Sequence, residues 1–337
     1  MYIGILIFIF LTILLLTGCN LKEEKEEVQE IEKIFTEEAP TNFKYISKDI
    51  EIIDGATKKT MTHRYHFDAP DGYNEDKTVS YPLVISLCAW GFPNSEEAVN
   101  IPEWTFGHLA DNSPYCTMPG VDKVKAFQYT PICPPPYSRE SGLPTAPEGG
   151  EWNSPAEKQM IIATVKELIS KYNIDKSRIY LQGFSMGGAG VWYIAQEFYD
   201  EMGYPIAAIS RVAGYTPTDK MLDENLFPDV YKSAVWYHVG ENDTMALDWD
   251  YIGNAELAEY TYQKLVKQHG TGEETIVERS IGNGLTEGDD ELQSIMKEYK
   301  VNGKSVIRLS VYKSRGHEDL SGRNIDFIDW IFSQKNK

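Results

Sequence analysis

The sequence contains few cysteines and few basic residues for its length. Four cysteines in 337 residues, none of them in a CxxC pair, exclude a disulfide-dense scaffold and the common cysteine metal motifs. Lysine and arginine total 32 against 51 aspartates and glutamates, so the formal net charge is −19. A nucleic-acid binder needs a basic surface, and this balance argues against that class. The sequence also has no metal-ligand spacing and no dinucleotide fingerprint, so it predicts no cofactor.

Long apolar runs are also scarce, and the only one that approaches a membrane span lies at residues 2–18. This run carries no charge and leads into the letters LTGC, which end at Cys19. That ending resembles the lipobox of bacterial lipoproteins, whose signal peptide is cleaved before a cysteine that becomes lipidated. We therefore expect a signal peptide at residues 1–18 and a lipid on Cys19. The alternative is an uncleaved anchor helix, and both interpretations place the rest of the chain outside the cytoplasm.

A short acidic segment follows the cysteine. Residues 21–40 contain eight glutamates and three lysines, which is typical of an extended, charged spacer. We expect residues 19–43 to form a lipid-anchored spacer and residues 44–337 to form one folded domain. The partner expected for the anchor is the membrane.

From residue 44 onward, the apolar pattern alternates between the periods of strands and helices. Strands are predicted at Lys44–Ile53, Thr60–Phe67, Pro82–Leu87, Ala126–Ile132, Arg178–Gln182, Ile206–Val212, Ala234–Val239 and Val306–Tyr312, and helices at Gln159–Tyr172, Met186–Phe198, Glu256–Gln268 and Ile325–Phe332. The segment Ser154-Pro155-Ala156-Glu157 supplies the start of the first helix, with an N-cap serine and a proline at the first helical position. The order predicts an α/β fold: a mostly parallel twisted sheet with helices on both faces and an antiparallel N-terminal strand pair. Long non-periodic segments are predicted as loops at 91–125, 133–153, 213–232 and 281–295.

One serine stands in a strand–turn–helix pattern. The segment Gly183-Phe184-Ser185-Met186-Gly187 matches G-x-S-x-G, between the strand letters RIYLQ and a helix rich in small residues. So tight a turn has no room for side chains at its flanking glycines, and it exposes the serine at its apex. The hydroxyl then faces the positive end of the helix, where the N–H of Met186 can meet a developing oxyanion. Ser185 is therefore the candidate nucleophile and Met186 a candidate oxyanion donor.

A serine of ordinary pKa needs a base. His317 follows the last predicted strand, and the chain order serine, acid, histidine is that of the α/β-hydrolases. The acid must follow the strand Ala234–Val239, where Asp243 would hold the histidine in the right tautomer. Glu241 and Asp248 lie close by and remain alternatives.

These segments together resemble an α/β-hydrolase of the secreted carboxylesterase-like group, which includes feruloyl and acetylxylan esterases, polyhydroxybutyrate depolymerases and predicted peptidases. The resemblance covers about residues 60–333 and rests on YHFDAPDGYNEDKTVSYPLVISL, YTPICPPP, NIDKSRIYLQGFSMGGAGVW, VWYHVGENDT and SRGHEDL. It implies a triad of Ser185, Asp243 and His317, and a small-molecule or carbohydrate-linked ester as substrate.

One motif departs from that group. After the strand PLVISL the group usually has His-Gly, whose following backbone N–H completes the oxyanion hole. Here the chain reads Cys88-Ala89-Trp90-Gly91. A backbone donor does not require histidine, so Ala89 or Trp90 is predicted to supply the second N–H.

The sequence thus predicts a surface-tethered serine hydrolase that cleaves carboxylic esters through an acyl-enzyme. A serine peptidase of the same fold, and a binding lipoprotein with weakened catalysis, are the alternatives. Trp152, together with aromatic residues of the 91–125 segment, is a candidate for stacking on a sugar or phenolic acid, with packing as the alternative role.

Overall fold

The structure is a computed structural model, and all the residues that it describes fall within one unit, Asn42–Lys337. The described residues are 44–70, 73, 78–88, 118, 124–132, 150–214, 227–244, 255–281, 292–318, 321 and 326–336. The predicted signal peptide, the spacer and Cys19 lie outside them. No helix within these ranges is both long and apolar enough to cross a membrane.

Strands and helices alternate through most of the described residues. The strands are β1 (Lys44–Asp54), β2 (Thr57–Asp68), β3 (Tyr81–Leu87), β4 (Phe127–Ile132), β5 (Ile174–Phe184), β6 (Ala208–Val212), β7 (Ala234–Gly240), β8 (Glu273–Ile281), β9 (Leu292–Val301) and β10 (Lys304–Tyr312). The helices are α1 (Pro155–Lys171), α2 (Met186–Met202), α3 (Ala255–His269) and α4 (Phe327–Ser333), with short 3-10 turns at Gly150–Asn153 and Val230–Lys232.

The described strands form one sheet in the order β1-β2-β4-β3-β5-β6-β7-β10-β9-β8. The six strands from β4 to β10 in this order are parallel to one another. β1 and β2 form the predicted antiparallel pair at one edge, with β2 antiparallel to β4. The expected fold class, a mostly parallel sheet with an antiparallel N-terminal pair, is therefore confirmed.

The other edge of the sheet differs from the prediction. β10 pairs antiparallel with β9, and β9 pairs antiparallel with β8, so three strands form a meander there. Neither β8 nor β9 was predicted from the sequence, and the loop predicted at 281–295 is wrong at Ile281, which ends β8, and from Leu292 onward. Two adjacent apolar residues of β8 are exposed, Ile276 by 58% and Val277 by 41%, so the strand lacks the in–out alternation that a half-buried strand shows. Its pairing with β9 defines it instead.

The turn between β9 and β10 is short. Asn302 and Gly303 both have positive φ, 52° and 76°, as a two-residue hairpin of the primed type requires. Asparagine and glycine are the residues that adopt this conformation at least cost. The sequence therefore fixes the register of this hairpin locally.

Helices cover both faces of the sheet, because the central strands carry buried side chains on both faces. In β3, Leu83, Ile85 and Leu87 pack into the core under α1, α2 and α3, whereas Val84 points to the opposite face, where α4 lies. The same alternation divides β7. β3, β6 and β7 are buried almost throughout, as expected of strands enclosed between two layers.

Helix α1 begins where its sequence indicates. The Ser154 hydroxyl accepts a hydrogen bond of 3.0 Å from the N–H of Glu157, and Pro155 occupies the first helical position. The helix therefore starts at the predicted cap, four residues before the apolar repeat that begins near Gln159. It packs against β1 and α2.

Three histidines of the sheet are fully buried: His63 and His66 in β2, and His238 in β7. His63 Nε2 lies 2.8 Å from the Tyr129 hydroxyl, and His238 Nδ1 lies 2.9 Å from that of Tyr312. Burial lowers the pKa of His63 to about 4 and the pKa values of His66 and His238 to about 3. All three side chains are therefore neutral in the folded protein at neutral pH.

We predict that the free energy of unfolding falls as the pH drops from about 6.5 to about 4.5. In the unfolded chain each histidine titrates near pH 6.5, so below that pH the unfolded state binds about three more protons than the folded state. Each extra proton gives a slope of about 1.4 kcal/mol per pH unit. Urea denaturation across this range measures the slope. His238→Gln removes one of the three titrating groups and should reduce the slope by about 1.4 kcal/mol per pH unit. A stability that does not change over this range would contradict the prediction.

Candidate active site

Ser185 lies in the sharp turn between β5 and α2. Its φ is 56° and its ψ is −116°, a conformation that a residue with a side chain adopts only under strain, at a cost of about 1–3 kcal/mol. The surroundings hold it there: the Ser185 N–H donates to the Val212 carbonyl at 2.9 Å, and its carbonyl accepts from Ala189 N–H at 3.0 Å. The hydroxyl is therefore presented at the start of the helix.

Two glycines make this turn possible. A Cβ placed on Gly183 would lie 2.8 Å from the backbone nitrogen of Gly188, inside the turn itself. A Cβ on Gly187 would lie 2.7 Å from the carbonyl carbon of Leu87 and 2.9 Å from the Cys88 oxygen. Gly183 is thus required by the turn itself, as predicted, whereas Gly187 is required by a close contact between the first turn of α2 and the end of β3.

A buried arginine of β6 links the start of α2 to the sheet through a hydrogen bond. Arg211 Nε donates to the Gly188 carbonyl at 2.8 Å, and its Nη2 donates to the Gly214 carbonyl at 3.1 Å. The guanidinium lies 4.5 Å from the centre of the Tyr237 ring, whose hydroxyl donates to the same Gly214 carbonyl at 3.0 Å. Burial lowers the pKa of Arg211. Arg211 was not among the predicted site residues, although an arginine inside the strand letters AISRV is a signal that could have indicated it.

The structure brings Ser185, His317 and Asp243 together. His317 Nε2 lies 2.8 Å from the Ser185 hydroxyl oxygen, and His317 Nδ1 lies 3.1 Å from each carboxylate oxygen of Asp243. The Asp243 side chain is 1% exposed and that of His317 15% exposed. With Nδ1–H donating to the carboxylate, Nε2 is left as an acceptor for the serine hydroxyl.

The strand order explains how three distant residues meet. β5, β7 and β10 are parallel strands of one sheet, so their carboxyl ends lie at the same edge. Ser185 follows β5, Asp243 follows β7 and His317 follows β10. The serine motif and the chain order serine, acid, histidine had indicated these three positions.

Backbone hydrogen bonds join the turns that carry the acid and the base. The Glu241 N–H donates to the Tyr312 carbonyl at 2.8 Å, and the Asn242 N–H donates to the Arg315 carbonyl at 2.7 Å. Gly240 permits this approach, because a Cβ there would lie 2.7 Å from the Arg315 carbonyl carbon. The acid and the base are thus held by one connected unit.

Of the alternative acids, Glu241 is turned away from the histidine. Its Oε2 accepts a 2.9 Å hydrogen bond from the Ser314 N–H, and its side chain is exposed. Asp248 lies outside the described residues. Asp243 is therefore the carboxylate that the structure places on His317.

The oxyanion candidates are only partly described. Met186 is the first residue of α2, and the N–H groups of a first helical turn have no acceptor within their own helix. Ala89 and Trp90 lie outside the described residues. Trp152 is fully buried, which excludes it from stacking on a ligand and assigns it to packing. Within the described part of the chain, no cluster of three or more metal-ligating side chains occurs.

The surroundings of the base are apolar on one side. The Phe184 ring packs against the imidazole of His317 with a centroid distance of 5.2 Å. Phe184 is itself buried with Val212 and Ala213. Packing and the buried carboxylate together restrict the imidazole to one orientation, and a base so oriented can take a proton from the adjacent hydroxyl.

Comparison with known proteins identifies the fold. No family model matches the chain, and no curated protein matches it significantly. Among solved structures, a thermostable esterase matches this chain at 19% identity with a TM-score of 0.52, and the match covers 86% of this chain. This chain spans 63% of that esterase. An acetyl xylan esterase from Aspergillus awamori is 11% identical, covers 84% of this chain and 98% of that chain, and has a TM-score of 0.45. The chain has the α/β-hydrolase fold.

We predict that Gly187→Ala lowers the free energy of unfolding by at least about 1–3 kcal/mol, because the new methyl group forces β3 away from α2. The matched control is Gly316→Ala, since a Cβ there meets only the Asn242 oxygen at 3.9 Å. That control should stay within about 0.5 kcal/mol of wild type. Chemical denaturation measures both, and equal stability of the two variants would contradict the close contact at Gly187.

Proposed function

We propose that this protein is a serine hydrolase that cleaves carboxylic esters, with Ser185 as nucleophile, His317 as base and Asp243 as the orienting acid. The observation that carries the proposal is the hydrogen-bonded chain of these three side chains, with His317 Nε2 2.8 Å from a serine held at positive φ. The solved structure that shares the fold at a TM-score of 0.52 is an esterase, which supports an ester over an amide.

In the first half-reaction, Ser185 Oγ attacks the ester carbonyl carbon while its proton passes to His317 Nε2. The carbonyl oxygen becomes an oxyanion beside the positive end of α2. When the tetrahedral intermediate collapses, the carbon–oxygen bond to the alcohol breaks, and the alcohol leaves with the proton from His317. The acyl group remains on the serine.

In the second half-reaction, water attacks the acyl carbon and gives a proton to His317. The acyl–serine bond then breaks, the carboxylic acid departs and the proton returns to Ser185. Asp243 stays ionised throughout and stabilises the imidazolium that forms twice in each cycle. No cofactor enters this sequence of steps.

Two backbone N–H groups complete the proposed site. Met186 would supply one from the start of α2, and Ala89 or Trp90 the other from the chain that follows β3. Such donors stabilise the transition state more than the ground state, because the charge that they meet exists only after attack.

The proposal includes a tether. Residues 1–18 would act as a signal peptide, Cys19 would carry the lipid, and the acidic spacer of residues 19–43 would hold the catalytic domain, residues 44–337, off the membrane. A domain so placed would meet small-molecule esters or acyl groups on carbohydrate outside the cytoplasm.

We predict that Ser185→Ala and His317→Ala each lower kcat by at least about 10⁴-fold, and that the double variant is scarcely worse, because the residues act as a unit. Turnover of aryl, acetylated-sugar and feruloyl esters measures this, alongside peptide substrates. Fluorophosphonate should label wild type and fail to label Ser185→Ala, while the surface variant Ser170→Ala labels normally.

A second matched pair tests the acid. Asp243→Asn should lower kcat on the order of 10⁴-fold, whereas Glu241→Gln should stay within about tenfold of wild type. The reverse result would move the acid to Glu241.

The wild-type protein decides between the classes of function. Turnover of peptides alone would make the protein a peptidase. A wild type inert to every substrate and to fluorophosphonate would favour the binding lipoprotein.

We predict that Cys19→Ala releases the protein from the membrane fraction or blocks its processing, because the substitution removes the site of lipidation. Fractionation and the mass of the N-terminal peptide measure the outcome, and Cys88→Ala serves as a control for loss of a cysteine elsewhere. A Cys19→Ala variant that remains in the membrane at unchanged mass would show an uncleaved anchor helix instead.

A further inference from the structure

Arg211 is the fourth residue of β6, and its side chain is completely buried. In the sheet it lies opposite Gly183, and the next residue, Val212, lies opposite Phe184. The Val212 carbonyl accepts a hydrogen bond of 2.9 Å from the N–H of Ser185. The arginine therefore stands beside the turn that presents the proposed nucleophile.

One side of the guanidinium contacts the helix that follows Ser185. Its Nε donates to the Gly188 carbonyl at 2.8 Å, and its central carbon lies 5.3 Å from the centre of the Trp192 ring. Gly188 and Trp192 are four residues apart, so they lie on one face of α2. The arginine thus contacts the start of this helix over one full turn.

The other side of the guanidinium holds the chain that leaves β6. Its Nη2 donates to the Gly214 carbonyl at 3.1 Å, and the Tyr237 hydroxyl donates to the same oxygen at 3.0 Å. Gly214 lies against α2, because a Cβ there would lie 2.7 Å from the Gly188 oxygen and 2.8 Å from the Ala189 nitrogen. One planar group therefore joins the two segments that form this backbone contact.

Two residues beside this contact have strained backbones. Ser185 has a φ of 56°, and Ala213, which precedes Gly214, has a φ of 44°. Residues with a side chain rarely adopt such values, which persist only where the surroundings leave no alternative. Without the guanidinium, we expect the start of α2 and the end of β6 to separate slightly, so that Ser185 relaxes toward an ordinary conformation.

We propose that Arg211 is a positioning residue for the nucleophile, and that it keeps Ser185 in its strained conformation by joining the Gly188 and Gly214 carbonyl groups. This inference rests on the proposed hydrolase function. In that conformation the Ser185 hydroxyl lies 2.8 Å from His317 Nε2. A displacement of about 1 Å at a reacting group lowers a rate by up to about a hundredfold. An arginine that only stabilised the fold would leave the rate of the folded protein unchanged.

We predict that Arg211→Lys lowers kcat by about tenfold to a hundredfold on the smallest acetyl ester that wild type turns over, with KM changed by less than about twofold. An ammonium group is a compact point charge and cannot reproduce the planar fork that reaches two carbonyl groups. The second-order rate of fluorophosphonate labelling reports the reactivity of the Ser185 hydroxyl and should fall by a similar factor. Both rates are measured on protein that circular dichroism shows to be folded.

The matched control is Arg308→Lys, which makes the same change at a second arginine that packs on an aromatic ring. Arg308 Nε donates to the Glu298 carboxylate at 2.8 Å, and its guanidinium lies 4.6 Å from the centre of the Trp236 ring. Trp236 belongs to the face of the sheet that α4 covers, opposite to α2. This control should lose stability and keep both kcat and the labelling rate.

A second variant covers the case in which Arg211→Lys does not fold. Arg211→Met keeps an extended side chain without donors or charge, and replacing a buried charged group by an apolar one of similar volume often leaves stability unchanged. It should show the same loss of kcat and of labelling rate. If the Arg211 variants match Arg308→Lys in both rates, the positioning role is overturned while the hydrolase proposal stands. A wild type that neither turns over esters nor reacts with fluorophosphonate overturns the hydrolase proposal and this inference with it.

Discussion

The site depends on one close backbone contact, in which the first turn of α2 lies against the end of β3 with no side chain between them. Gly187 allows the contact, and Gly183 allows the turn that precedes it. Interiors are packed too tightly to absorb an added methyl group at such a contact. The strained backbone of Ser185 persists because these neighbours leave it no other conformation. Arg211 strengthens the arrangement by hydrogen-bonding the carbonyl groups of Gly188 and Gly214.

Asp243 and His317 reach Ser185 from another part of the sheet. Asp243 and His317 come from turns that hydrogen-bond to each other through their backbones, so these two side chains form one unit whose geometry does not depend on Ser185. The unit meets Ser185 because β6 alone separates β5 from β7 in the sheet. The parallel strand order, rather than any local motif, brings the serine within hydrogen-bond distance of the histidine.

The sequence predicted the features that short segments determine. The apolar run of β3, the glycines around Ser185 and the cap at Ser154 each have a local physical cause, and each appears where expected. Features that depend on long-range pairing were missed. β8 exists because it pairs with β9, and its exposed side chains give no apolar alternation. The contact of Trp152 with Cys88 joins residues 64 positions apart, and no spacing in the sequence indicates such a hydrogen bond.

The β9–β10 hairpin has a consequence for the order in which the molecule assembles. Its two-residue turn at Asn302 and Gly303 lets β10 pair with β9 locally, and hairpins of this kind close in about 1–10 μs. β10 can reach β7 only across a much longer stretch of chain, and contacts of such sequence separation form slowly. The pair of His317 with Ser185 spans 132 positions and needs that parallel pairing first. The hydrogen bond between His317 and Ser185 would therefore form late in folding, and its formation would report that the central sheet is complete.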